Sequence, residues 1–124
     1  MKKQIRKMIK KIKGEYGRVS YLLDEAGKSL MELGKEVYER KSAPHSLQDF
    51  SGKLFELEKS IAKNKFLEDY EPIIIYEIGF RAERLLHYVT RLTTLLESKQ
   101  FEEARLYFRI LLTEFEQFRS LVLE

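Results

Sequence analysis

The feature that most constrains the fold is a seam of apolar residues whose spacing alternates between four and three positions. Along the first third of the chain the seam comprises Ile5, Ile9, Ile12, Tyr16, Val19, Leu23, Ala26, Leu30, Leu33 and Val37. An average period of about 3.5 residues places such side chains along one side of an α-helix that packs against neighbouring helices. The spacing therefore predicts one long helix over residues 2–41.

The same spacing returns in three later segments, each bounded by residues that favour a helix end. Pro44 disfavours helix at the residue before it, and Ser46 can cap the helix that follows. That second helix carries Leu47, Phe50, Leu54, Leu57 and Ile61 and ends near Asn64. The third begins around Asp69, with Pro72 in its first turn, and its seam is Ile75, Ile78, Ala82, Leu85, Val89, Leu92 and Leu96. The fourth carries Phe101, Ala104, Phe108, Leu111, Phe115, Phe118 and Val122.

Short connections between four amphipathic helices predict an all-α, antiparallel up-down four-helix bundle with an overlong N-terminal helix. The 124 residues form one domain. An antiparallel second helix of about 20 residues can cover only the C-terminal half of the first. We therefore expect residues 1–13 to project from the bundle as a basic amphipathic arm. Ser20, Gly27 and Gly34 repeat every seven residues beside the seam, which predicts close approach of a neighbouring helix.

The arm is strongly basic, whereas the rest of the chain is mildly acidic. Residues 1–13 contain no acid, and residues 14–124 contain 16 basic and 20 acidic residues. The arm cations are Lys2, Lys3, Arg6, Lys7, Lys10, Lys11 and Lys13. We expect the arm to contact a nucleic acid or an acidic partner as part of a larger complex. Three interpretations of its pattern are open: binding to the phosphates of a nucleic acid, binding to an anionic membrane surface, or packing of the apolar stripe in a dimer with the lysines facing solvent. The membrane is the weakest of these because the arm contains neither Trp nor Phe.

Apolar residues on two faces of one helix indicate a second contact surface beyond the bundle core. Tyr76 and Phe80 lie roughly opposite the third seam, and Leu106, Ile110 and Leu121 lie roughly opposite the fourth. The arm adds its own stripe of Ile5, Ile9 and Ile12. We expect these residues to form the interface of a homo-oligomer, a dimer or larger.

The residue types present exclude several kinds of chemistry. The chain has no cysteine and only two histidines, His45 and His87, so we expect neither a metal site nor a redox site. No phosphate-binding loop, dinucleotide fingerprint or HExxH motif occurs, and we expect no cofactor and no small-molecule substrate. The longest apolar run, residues 73–76, is far too short to span a bilayer, which favours a cytoplasmic protein. The function predicted is that of a non-enzymatic interaction or assembly subunit.

One stretch of the sequence indicates an alternative function. The sequence from Gly79 to Tyr88, GFRAERLLHY, resembles the motif of the HEPN-domain ribonucleases, in which an Arg precedes a His by a few positions. In that family the motif lies on a small all-α bundle that dimerises to join two motifs. The resemblance implies that Arg81 and His87 would cleave RNA across a dimer, without a metal ion.

Overall fold

Four antiparallel helices make up the described part of the protein. The computed structural model describes residues 2–63 and 72–123, with side-chain surroundings for residues 17–61 and 72–123. The helices are α1 (Lys2–Tyr38), α2 (His45–Lys63), α3 (Pro72–Glu97) and α4 (Phe101–Leu123), and the described ranges contain no strand. Each helix packs against the next, and α4 returns to α1. This arrangement is the up-down four-helix bundle that the apolar spacing predicts.

The predicted seams form one continuous core. From Val19 onward, every seam residue of α1 and α2 is buried, and so are the seam residues of α3 and α4 apart from the first of each. Phe50 of α2 and Phe115 of α4 meet at the centre in an edge-to-face contact, with ring centroids 5.6 Å apart. The one clear departure is Ile75, which was expected in the α3 seam but is 38% exposed.

Side-chain pairs set how far the helices overlap. Arg119 of α4 donates to Asp24 of α1 at 2.7 Å, and Ser29 of α1 donates to Asp49 of α2. Since α4 ends four residues after Arg119, its last turn is level with about Ser20. The helical backbone of α1 continues through residues 2–16, about 22 Å further. The prediction of an overlong first helix is therefore confirmed.

The bundle has two different ends, and we use the same names for them throughout. The closed end contains the α1–α2 and α3–α4 connections. The open end contains the C-terminus of α4 and the start of α3, and residues 2–16 of α1 extend from it.

At the closed end, α1 and α3 terminate in the same way. Arg40, with φ 61°, donates its N–H to the Val37 carbonyl, and the N–H of Lys41 reaches back to the Glu36 carbonyl. Lys99, with φ 60°, and Gln100 repeat these bonds at the end of α3. This is the Schellman arrangement, in which a left-handed residue ends a helix. It stops α1 at Tyr38 rather than at the predicted residue 41.

The start of α2 is capped from another helix. The carboxylate of Glu36 on α1 accepts from the backbone N–H of His45 at 2.9 Å and from that of Ser46 at 3.3 Å. The Ser46 hydroxyl donates to the same carboxylate. Ser46 was expected to cap α2 itself, but here it supports Glu36, which also joins the end of α1 to the start of α2.

The small residues on α1 make room for phenylalanine rings of α4. A Cβ atom added to Gly34 would lie 2.6 Å from Cζ of Phe108, and one added to Gly27 would lie 3.7 Å from Cε1 of Phe115. The close approach predicted from the repeat of small residues is therefore present at both glycines.

Candidate interaction surface

Among the residues whose side chains are described, the largest concentration of exposed apolar side chains lies on the first three turns of α3, at the open end. Ile73, Tyr76 and Phe80 are 70%, 75% and 51% exposed. Their spacing of three and four residues puts them in one stripe, on the side of α3 that faces away from the bundle. We call this stripe the α3 patch. Ile75 lies beside it and is also partly open to solvent.

Arg84 continues the α3 patch and is held in place from three directions. Its guanidinium carbon lies 5.8 Å from the centroid of the Phe80 ring and 5.9 Å from that of Tyr88. It also donates to Glu114 of α4 at 2.9 Å and to the Tyr88 hydroxyl at 3.3 Å. The hydrogen bond to Tyr88 and the charge of Glu114 raise the pKa of Arg84, so the group stays positively charged. The surface next to the patch is therefore a fixed cation between two aromatic rings.

Arg81 and His87, the two residues of the HEPN-like motif, have different surroundings. Arg81 donates to Glu77 on its own helix and to Gln117 on α4, both at 3.1 Å. His87 is exposed, and its ring lies 6.4 Å from that of Tyr88, centroid to centroid. Six helical positions separate the two residues by about 9 Å along the axis and about 120° around it. Within one chain the structure does not bring Arg81 and His87 together.

The apolar residues predicted on the back of α4 divide into two groups. Leu106 is 60% exposed and Ile110 is 42% exposed, as expected for side chains outside the bundle core. Leu121 is only partly exposed, because it packs against the core cluster at the open end. The exposed surface of α4 is thus displaced along the bundle from the α3 patch.

A shallow cleft lies between α2 and α3. Its volume is about 530 Å³, and Pro44, Leu47 and Val89 are among the residues that line it. Three threonines also line it, but the hydroxyls of Thr90, Thr93 and Thr94 each donate to a backbone carbonyl four residues earlier in α3. These hydroxyls are bonded within their own helix, so the polar groups that the cleft offers come from its other lining residues, Ser42, His45, Gln48, Ser51 and Glu97.

The predicted arm contacts fall on residues whose side chains lie outside those described. This applies to the nucleic-acid candidates Lys2, Lys3, Arg6, Lys7, Lys10, Lys11 and Lys13, and to the interface candidates Ile5, Ile9 and Ile12. Their backbone belongs to α1.

The described residues contain neither a metal-binding cluster nor a membrane-spanning helix. No group of three or more His, Asp or Glu side chains there could hold a metal ion. Over the same ranges, none of the helices is long and apolar enough to cross a bilayer.

Two features of this surface were not recognised from the sequence. Ile73 was noted only as part of an apolar run, although its spacing to Tyr76 and Phe80 already indicates a common stripe. The Arg84–Glu114 pair joins two helices, and no local pattern reveals it. Compared with protein-family models, with curated proteins and with solved structures, the chain matches none.

Proposed function

We propose that this protein is a helical assembly subunit that forms homo-oligomers and uses its basic arm to contact a nucleic acid or an acidic partner. The observation that carries the proposal is the α3 patch. Three large apolar side chains in one stripe cost free energy when they face water, at about 25 cal/mol per Å² of apolar surface. Such a patch is typical of a surface that a partner covers.

The distribution of side chains between the interior and the surface of the bundle supports a binding role. The interior is filled by the four seams. The outer sides of α3 and α4 include aromatic rings and arginines, which are residue types enriched at protein interfaces. Leu106 and Ile110 add a second exposed site on α4.

Light scattering coupled to size exclusion tests the oligomer. The chain mass is 14.8 kDa, and we expect a particle of at least twice that mass. Replacing the surface residues in pairs, Tyr76→Lys with Phe80→Lys or Leu106→Lys with Ile110→Lys, identifies the surface used. Phe55→Lys is the matched control, since Phe55 is also exposed, at 53%, but lies on α2. A monomer at every concentration would refute the oligomeric part of the proposal.

Fluorescence anisotropy with labelled single-stranded RNA and duplex DNA tests the arm. Phosphate contacts release counterions, so binding should fall steeply between about 50 and 200 mM salt. Replacing the seven arm cations by Gln should remove this binding while leaving the fold intact. Salt-independent binding, or equal binding by the Gln variant, would contradict a role for the arm in nucleic-acid recognition.

A HEPN-like ribonuclease is the alternative, and the position of His87 is what favours it. His87 lies two helical turns after Phe80 on the same side of α3, so a dimer in which the two α3 helices pack in parallel along that side would place the two copies of His87 close together. In that case the pure protein should cleave single-stranded RNA without added metal, and His87→Ala should abolish cleavage. RNA left intact by the wild-type protein would refute this alternative.

A further inference from the structure

We infer that the α3 patch is the binding site for the N-terminal arm of a second copy of this chain, so that two copies exchange arms. The inference rests on the proposed function and names the acidic partner of the arm. It follows from where the arm and the patch lie, from their matching spacing and from their charges.

Position is the first argument. The arm leaves the bundle at the open end, and the α3 patch begins at the same end. Because α1 is one continuous helix from Lys2, its N-terminal turns lead away from the chain's own α3. A second copy, turned by a two-fold axis, would place its arm beside this patch and receive the first arm in return.

Spacing is the second argument. In the arm, Ile5, Ile9 and Ile12 are separated by four and then three residues, whereas Ile73, Tyr76 and Phe80 are separated by three and then four. The two-fold axis makes the arm antiparallel to the partner's α3, which reverses the order of the arm residues. Ile12 then lies opposite Ile73, Ile9 opposite Tyr76, and Ile5 opposite Phe80. Each stripe is about 10 Å long, so the apolar side chains match over their full length.

This register also brings the two open ends close together. Since Ile73 is level with about residue 18 of its own α1, the described α3 ends of the two copies would lie about 6 Å apart along the bundle axis. Two arm–patch contacts per dimer double the area buried by one, which favours a stable association.

Charge is the third argument. The described stretches that reach the open end, residues 17–24, 56–61, 72–83 and 114–123, contain 7 acidic and 4 basic residues. The remaining body, residues 25–55 and 84–113, contains 8 acidic and 10 basic residues. A basic arm is therefore attracted to the open end of another copy rather than to its closed end. In the antiparallel register, Lys2 would lie level with the exposed Glu83 on the partner's α3, next to Arg84, whose charge is paired with that of Glu114.

The arm-exchanged dimer predicts positions for the two copies of His87 that are incompatible with the ribonuclease alternative. In the register described, the two copies of His87 lie on opposite sides of the dimer, about 50 Å apart along the axis. No composite site could form between them.

Disulfide trapping tests this arrangement, because the natural sequence contains no cysteine. One full-length chain carries Ile9→Cys and the other Tyr76→Cys, and the two are mixed and oxidised with copper phenanthroline. We expect a disulfide-linked heterodimer, at least tenfold more abundant than that from Ile9→Cys mixed with Phe55→Cys. Equal trapping by the two mixtures would overturn the inference.

A complementation experiment provides a second readout that does not depend on cysteine. The full-length variants Ile5→Gln/Ile9→Gln/Ile12→Gln and Tyr76→Lys/Phe80→Lys should each be monomeric alone, while Phe55→Lys stays dimeric. Mixed together, the first supplies an intact patch and the second an intact arm, so native mass spectrometry should detect a one-to-one complex. A dimer that survives in either variant refutes arm exchange but retains the oligomeric subunit. A wild-type monomer refutes both, and salt-sensitive RNA binding by that monomer would assign the arm to nucleic acid.

Discussion

The two ends of the bundle differ in how far the chain's own side chains cover them. At the closed end, Glu36 caps α2, and Arg105 of α4 donates to the Tyr38 carbonyl at 3.3 Å while its guanidinium lies 5.0 Å from the Tyr38 ring centroid. At the open end, Ile73, Tyr76 and Phe80 face solvent, and α1 continues past its neighbours. One end is completed by the chain's own side chains, and the other presents apolar surface that the described chain does not cover.

This difference separates folding from assembly. Contacts at the closed end join helices of one chain, so their loss should lower the free energy of unfolding. Side chains at the open end contribute little to the folded monomer, so their loss should change association and leave the stability of the monomer nearly unchanged.

The largest expected effect comes from removing one phenylalanine at each end. Phe108 is buried against Gly34, and Phe108→Ala should lower the free energy of unfolding by about 3–5 kcal/mol. Phe80→Ala should cost less than about 0.5 kcal/mol, because its ring is half exposed. Urea unfolding at low protein concentration measures both. Similar losses for the two variants would remove the distinction between the ends.

Two glycines should give effects of opposite sign. At Gly34, an Ala Cβ would overlap the Phe108 ring. The overpacking cost of about 1–3 kcal/mol outweighs a helix-propensity gain of about 1 kcal/mol, so Gly34→Ala should lower the free energy of unfolding. At Gly79 no atom lies within 4 Å of an added Cβ, so Gly79→Ala should stabilise by up to about 1 kcal/mol. Thermal unfolding followed by circular dichroism compares the two, and a gain in both would mean that Phe108 moves aside.

The cap at the closed end should depend on pH. Burial raises the pKa of Glu36, but the hydrogen bonds from the Ser46 hydroxyl and from the N–H groups of Ser46 and His45, together with the charge of Lys41, lower it by more. The net effect holds the pKa of Glu36 below its ordinary value. A lowered pKa means that the carboxylate stabilises the fold above the unfolded-state value, and that this stability is lost as the pH falls through the folded-state value.

Glu36→Gln should therefore cost about 1 kcal/mol at pH 7, the usual magnitude for a helix cap. The difference between wild type and variant should shrink as the pH is lowered from 5 toward 3. Denaturant titrations across that range measure it. A difference that is constant with pH would show that the charge of Glu36 does not act in the cap.

The smallest effect concerns the left-handed residue that ends α3. Lys99, at φ 60°, occupies a conformation that glycine adopts without steric cost. Lys99→Gly should raise the unfolding free energy by about 0.5 kcal/mol, whereas Lys99→Ala, the matched control, should not. If both substitutions have the same effect, the side chain of Lys99 rather than its backbone determines the stability there.

Local spacing predicted most of the core but could not predict the bundle ends. Val19, Leu23 and Ala26 were assigned to the core from the seam alone, since the period of a helix determines which side chains share a face. Ile75 has the same spacing, yet it lies partly exposed at the open end. A helical repeat says which side of a helix is apolar, but not where the neighbouring helices stop.

The sequence by itself therefore determined the four helices, the side of each that is buried, the excess length of α1 and the basic charge of its arm. Only the tertiary structure decided that Glu36 rather than Ser46 caps α2, that Arg81 turns toward Gln117, and that the α3 patch lies at the end from which the arm extends. The physical reason is the separation along the sequence over which each interaction acts. Helix periodicity acts between residues three or four positions apart, whereas caps and ion pairs between helices join residues that are distant in sequence and meet only after the bundle has formed.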